Sequence, residues 1–145
     1  MNHLANVKVG DIHTDSISSG SLATTAVDTQ GFDSALIIIS AGALGGDLSA
    51  ISVAHSDASD MSGSTNAVVF QSTADSSGTT NALADFDADE SILISLDLEG
   101  KGRYVKTTLT VSAATDISCT TLLGRASESP VDTAAGHGVD FHFNA

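Results

Sequence analysis

Basic residues are scarce in this chain: Lys and Arg total 5 against 18 Asp and Glu, a formal net charge of -13 over 145 residues. Charged residues are nevertheless only 16% of the total, below the roughly 25% of an ordinary soluble domain. The acidity therefore comes from missing bases rather than from surplus acids. Such a chain repels phosphate backbones and anionic headgroups, so neither a nucleic-acid nor a membrane partner is expected. Aromatics are nearly as rare, with no Trp, one Tyr and five Phe. A core has to be built from small aliphatics, which favours closely approaching layers over a roomy aromatic-lined pocket. The one cysteine, Cys119, cannot close an internal disulfide.

Long apolar runs are also missing. Ala35 to Leu44, interrupted by Ser40 and Gly42, is about half of the roughly 20 residues that a membrane-spanning helix needs; it reads as a buried strand. Met1 to Asn6 lack the basic and apolar regions of a signal peptide, so export by that route is not expected. Helical periodicity hardly occurs, and no fixed repeat stands out.

What is present is period-2 alternation. Ser34 to Gly42 is apolar on both faces, as in a central strand. Leu48 to Ser56 and Ala67 to Thr73 are further candidates. In Ser91 to Leu98, residues Ile92, Ile94, Leu96 and Leu98 share one face. In Arg103 to Ser112, Val105, Thr107, Leu109 and Val111 oppose Tyr104, Lys106, Thr108 and Thr110. Ile117 to Leu123 follows, and the two glycines of Leu98 to Arg103 suit a hairpin turn, so these three segments are expected to form a meander. Val139, Phe141 and Phe143 alternate with polar residues near the end, and Leu22 to Val27 is a weaker early strand. About eight short strands with Gly/Ser/Asp-rich turns predict an all-β fold, an antiparallel β-sandwich or jelly-roll-like barrel. The expected organisation is a single β domain over 1–145, with extended arms at 1–20 and 131–145.

Few residues suggest chemistry. Asp85, Asp87 and Asp89 have the spacing of a calcium loop's first half, but Glu90 stands where glycine is needed and Leu96 where the closing glutamate is needed. A solvated acidic turn is expected instead. Asp57, Ser59, Asp60, Ser62 and Gly63 read as a turn held by Asx hydrogen bonds. Histidines 3, 13, 55, 137 and 142 include no pair at the i, i+4 spacing of a zinc protease, and His137 and His142, which could meet near Asp140, read more simply as part of an exposed C-terminal segment. Cys119, inside a strand, reads as a small buried hydrophobe. The glycines of Gly42 to Gly46 lack the Lys-Ser/Thr of a phosphate cradle, and no Gly-x-Ser-x-Gly elbow occurs. No catalytic residue, metal or cofactor is expected.

Four segments, in order, carry a resemblance: Gly31-Phe32-Asp33 leading into the strand to Ser40; Ser52-Val53-Ala54-His55-Ser56-Asp57; Gly102-Arg103-Tyr104-Val105-Lys106 running on to Val111; and Leu122-Leu123-Gly124-Arg125 before Pro130. Together they resemble the head decoration, or cement, proteins of tailed bacteriophages. That resemblance implies a non-enzymatic virion protein on the capsid exterior, bound to the major capsid protein and reinforcing contacts between its subunits. A homo-oligomer is expected, a trimer before a dimer. The alternative is a tail-associated or receptor-binding adhesion module that recognises a host glycan or protein through loops 56–64 and 74–81. Lys and Arg cluster only between Lys101 and Lys106, so Lys101, Arg103, Tyr104 and Lys106 are the candidate interface residues, joined by Phe141 and Phe143 of the last strand.

Overall fold

The structure, a computed structural model, describes residues 7–17, 20–44, 48–71, 81–82, 91–124 and 141–144. Its strands are β1 (Val7–Ile17), β2 (Gly20–Ala23), β3 (Val27–Asp28), β4 (Ser34–Leu44), β5 (Leu48–Ser56), β6 (Thr65–Gln71), β7 (Asn81–Ala82), β8 (Ser91–Asp97), β9 (Tyr104–Val111), β10 (Thr115–Gly124) and β11 (Phe141–Asn144). They form two sheets, in the order β1-β10-β4-β8-β11 and β2-β9-β5-β6-β7, with β3 also on β9. Pairing is antiparallel except for β11 on β8 and β7 on β6. The two sheets pack face to face as a β-sandwich.

The alternation in the sequence explains which side chains fill the space between the sheets. The first sheet contributes Ile37, Ile39, Ile92, Ile94, Leu96 and Leu123; the second contributes Ile51, Val53, Val105 and Leu109, and all of these are fully buried. Each such aliphatic side chain stabilises the fold by about 1.5–3 kcal/mol through burial. Phe32, partly buried, packs against the margin of this cluster. The scarcity of aromatics thus corresponds to a thin core of Ile, Leu and Val.

The strand count and the connectivity differ from expectation. Eleven strands are present among the described residues rather than about eight, partly because Leu22 to Val27 divides into β2 and β3. Between them Thr24 keeps contact with β9: its N–H donates to the Thr107 carbonyl at 2.9 Å, and its Oγ1 accepts from the Thr107 N–H at 3.1 Å. The expected meander is not formed. β8 and β10 both flank β4 in the first sheet, whereas β9 lies between β2 and β5 in the second. The turn after β8 therefore carries the chain across the sandwich. Each of the three strands buries one face only, and alternation cannot distinguish neighbours in one sheet from partners in facing sheets.

Of the stretches expected as arms, the amino-terminal one contains β1, in register with β10 from Val7 opposite Gly124 to Ile17 opposite Thr115. The carboxy-terminal one contains β11, whose backbone pairs Phe141 with Ile92 and Phe143 with Ile94.

Candidate interface

The crossing from β8 to β9 positions the candidate residues. Lys101 N–H closes the turn on the Leu98 carbonyl at 3.1 Å. Gly102 then passes so close to the end of β5 that a Cβ on it would lie 2.5 Å from the Ser56 carbonyl carbon and 2.9 Å from the Asp57 nitrogen. Only glycine fits this approach. Its N–H donates to His55 Nδ1 at 2.9 Å, which leaves the ring's proton on Nε2. The next N–H, of Arg103, donates to Asp57 Oδ1 at 3.3 Å.

The Arg103 side chain turns toward β3. Its Nε donates to Asp28 Oδ1 at 2.9 Å and its Nη2 to Asp28 Oδ2 at 2.7 Å, a two-pronged ion pair. On its other side the guanidinium lies 5.3 Å from the centre of the Tyr104 ring. The Arg103 hydrogen bonds, aided by one from the Gln30 N–H, hold the Asp28 carboxyl down to about 2. Arg103 and Asp28 side chains are 45% and 39% exposed, so the pair fixes geometry more than it adds stability. Lys106 lies two residues along β9, on the sheet's outer face in register with Ala54.

Lys101, Arg103, Tyr104 and Lys106 are thus brought together at one end of the second sheet. Phe141 and Phe143 are on β11, at the edge of the other sheet, so the six residues do not form one patch. Sequence reasoning missed Asp28, His55 and Asp57 as members of the cluster. Asp28 lies 75 positions from Arg103, and nothing local announces the contact. His55 and Asp57 carried a signal, since they belong to the second resembling segment. With Asp28 and Asp57 present, the region is a mixed-charge surface rather than a purely basic one.

The adjoining loop is a turn held by its own polar groups. Ser62 N–H donates to Asp60 Oδ1 at 2.9 Å, Ser56 Oγ donates to the Ser62 carbonyl at 2.7 Å, and Ala58 N–H donates to Ser56 Oγ at 3.1 Å. The Asp60 carboxyl is lowered mainly by the Ser62 backbone hydrogen bond. Among the described residues no three His, Cys, Asp or Glu side chains converge as a metal-holding group. Asp85, Asp87, Asp89, His3 and His137 lie outside the described residues, and so does loop 74–81 except Asn81. Cys119 is buried, as expected, and burial pushes its thiol up to about 12; it offers no thiolate nucleophile. A shallow hollow of about 560 Å³ lies at the opposite end of the first sheet, lined by Thr14, Ser16, Ser40, Gly42, Asp116 and Ser118 among others. Both aspartates that line it, Asp15 and Asp116, are engaged: the Ser16 N–H donates to Asp15 Oδ1 at 2.8 Å and Ser16 Oγ donates to Asp116 Oδ1.

Comparison with protein families, curated proteins and solved structures finds no match. What the site offers chemically is a positioned set of charges and one aromatic ring on a rigid strand end. Such a set suits surface contact.

Proposed function

We propose that this protein is a non-enzymatic virion structural component that binds the outer surface of a tailed-phage capsid and stabilises contacts between major capsid subunits. The observation that carries the proposal is the convergence of the four resembling segments. They run along β4, β5, β9 and β10, four of the six inner strands of the two sheets, and the second and third meet where Gly102 and Arg103 contact Ser56 and Asp57. Lys101, Arg103, Tyr104 and Lys106 make the contact with the major capsid protein. A net charge of -13 keeps the protein away from packaged DNA and suits the capsid exterior. Homo-oligomerisation multiplies weak contacts on a symmetric shell.

The test is addition of purified protein to capsids that lack it, followed by cosedimentation and electron cryomicroscopy. Saturable binding with density over capsomer junctions is expected, weakened when Lys101→Glu and Lys106→Glu are combined. Absence of capsid binding would remove the proposal, and density at the tail tip would favour the adhesion module instead.

A further inference from the structure

β1 is the edge strand of the first sheet, and no strand among the described residues pairs with its free side. Native proteins usually defend such an edge, since its unpaired backbone groups template another strand. This edge is long, and three of its outward side chains are exposed and apolar, Val7 at 48%, Val9 at 52% and Ile12 at 64%, with the polar Thr14 and Ser16 completing that side. Its defence would have to come from the charged residues that alternate with them. Lys8 and Asp15 stand in register with the buried Leu123 and Ile117, and His13 with the buried Cys119, so with Asp11 they share the inward side of β1. A register shift between Val9 and Asp11 makes Gly10 an extra residue there.

We infer that β1 is a self-pairing edge: two copies join antiparallel through it about a two-fold axis at Ile12, which merges their first sheets into one. Three features select this arrangement. With the axis at Ile12, each copy's Gly10 and Asp11 together oppose the other's His13, as a β-bulge requires, and from Lys8 to Asp15 every inward residue meets an inward one. Lys8 then faces Asp15 of the second copy and Asp11 faces His13, each twice, so all four inward charged or titratable positions have complementary partners. The two neighbouring registers that keep the faces aligned fail. An axis at Asp11 sets Asp11 against Asp11, and an axis at His13 sets Asp11 against Asp15; like charges directly opposite destabilise a strand pair. Within each copy Asp11 binds Thr25 through Oδ2, a contact that fixes its carboxylate on this side of the strand. Main-chain hydrogen bonds supply the affinity and the side-chain pattern the register, as in strand addition generally. The chemistry fits a second copy of this chain better than an unrelated strand, because the pattern complements its own reverse. A two-fold closes as a dimer rather than the expected trimer.

Sedimentation velocity on the full chain, with circular dichroism to confirm folding, tests this. Wild type is expected to be dimeric. Ile12→Lys, at a position exposed in the single chain, sets two ammonium groups against each other at the axis and should weaken the dimer at least tenfold. Asp15→Lys alone should weaken it by opposing Lys8, and combining it with Lys8→Asp should restore association. A monomeric wild type, a dimer unmoved by Ile12→Lys, or a double variant no tighter than Asp15→Lys would each overturn the inference. The measurement uses purified protein, so its outcome is separate from capsid binding.

Discussion

Replacing a threonine by valine at two positions that lie side by side should change stability in opposite directions. Thr107 is 1% exposed and its Oγ1 has no partner of hydrogen-bonding geometry; the Cys119 sulfur beside it offers only a weak contact. An unsatisfied buried hydroxyl costs about 1–3 kcal/mol. Thr107→Val removes that cost, keeps a β-branched side chain of the same shape, and leaves the backbone untouched. We expect stabilisation by about 1–2 kcal/mol. Thr24 is 3% exposed, and its Oγ1 is the acceptor for the Thr107 N–H at 3.1 Å. Thr24→Val orphans that N–H and should destabilise by about 1–3 kcal/mol. Urea unfolding at one fixed protein concentration reads both, as opposite shifts of the midpoint at constant slope. Destabilisation by Thr107→Val would refute the reasoning, since it would mean that the hydroxyl is satisfied in the native state.

Gly102→Ala places a methyl group 2.5 Å from the Ser56 carbonyl carbon, and backbone has to move to admit it. A loss of about 1–3 kcal/mol with perturbed His55 and Arg103 amide resonances is expected. The Asp28 carboxyl is lowered from 3.8 to about 2 in the folded protein, so its contribution is complete above the unfolded value and disappears as pH falls through the folded one. The charge-dependent part of the stability difference between wild type and Asp28→Asn should therefore be constant at neutral pH, shrink as pH falls below 3.8 and vanish below about 2; a difference independent of pH would contradict the assignment. Cys119, buried with its thiol raised to about 12, should react with a thiol reagent only at the rate of unfolding. Fast labelling of the native protein would place it nearer the surface.

The inner strands were legible because their buried positions recur every second residue: Ile92, Ile94 and Leu96 in β8, and Val105, Thr107, Leu109 and Val111 in β9, all buried as their spacing requires. The pairing was not legible. Turn glycines between Leu98 and Arg103 signal a reversal, and a reversal into the facing sheet uses the same residues as a hairpin. The same limit hid Asp28 from the Arg103 cluster, since the contact exists only because β3 and β9 pair. β1 escaped notice for a different reason. Its extra residue at Gly10 breaks the alternation in mid-strand, so Lys8 and Asp11, three apart, lie on one face.

The interleaving of the sheets also orders events during synthesis. β4 lies at the centre of the first sheet, and both of its neighbours, β8 and β10, come later in the chain. The Ile-rich stretch Ala35 to Ala41 therefore has no in-sheet partner until β8 has been made, and its second one waits until Gly124 has followed. β5 and β6 can pair early as a hairpin, but closing the first sheet requires contacts distant in sequence, which fold slowly and leave strands exposed to aggregation. Truncation before β10 should yield insoluble chains, and expression should respond to temperature and to chaperone supply more strongly than the stability of the finished protein would suggest.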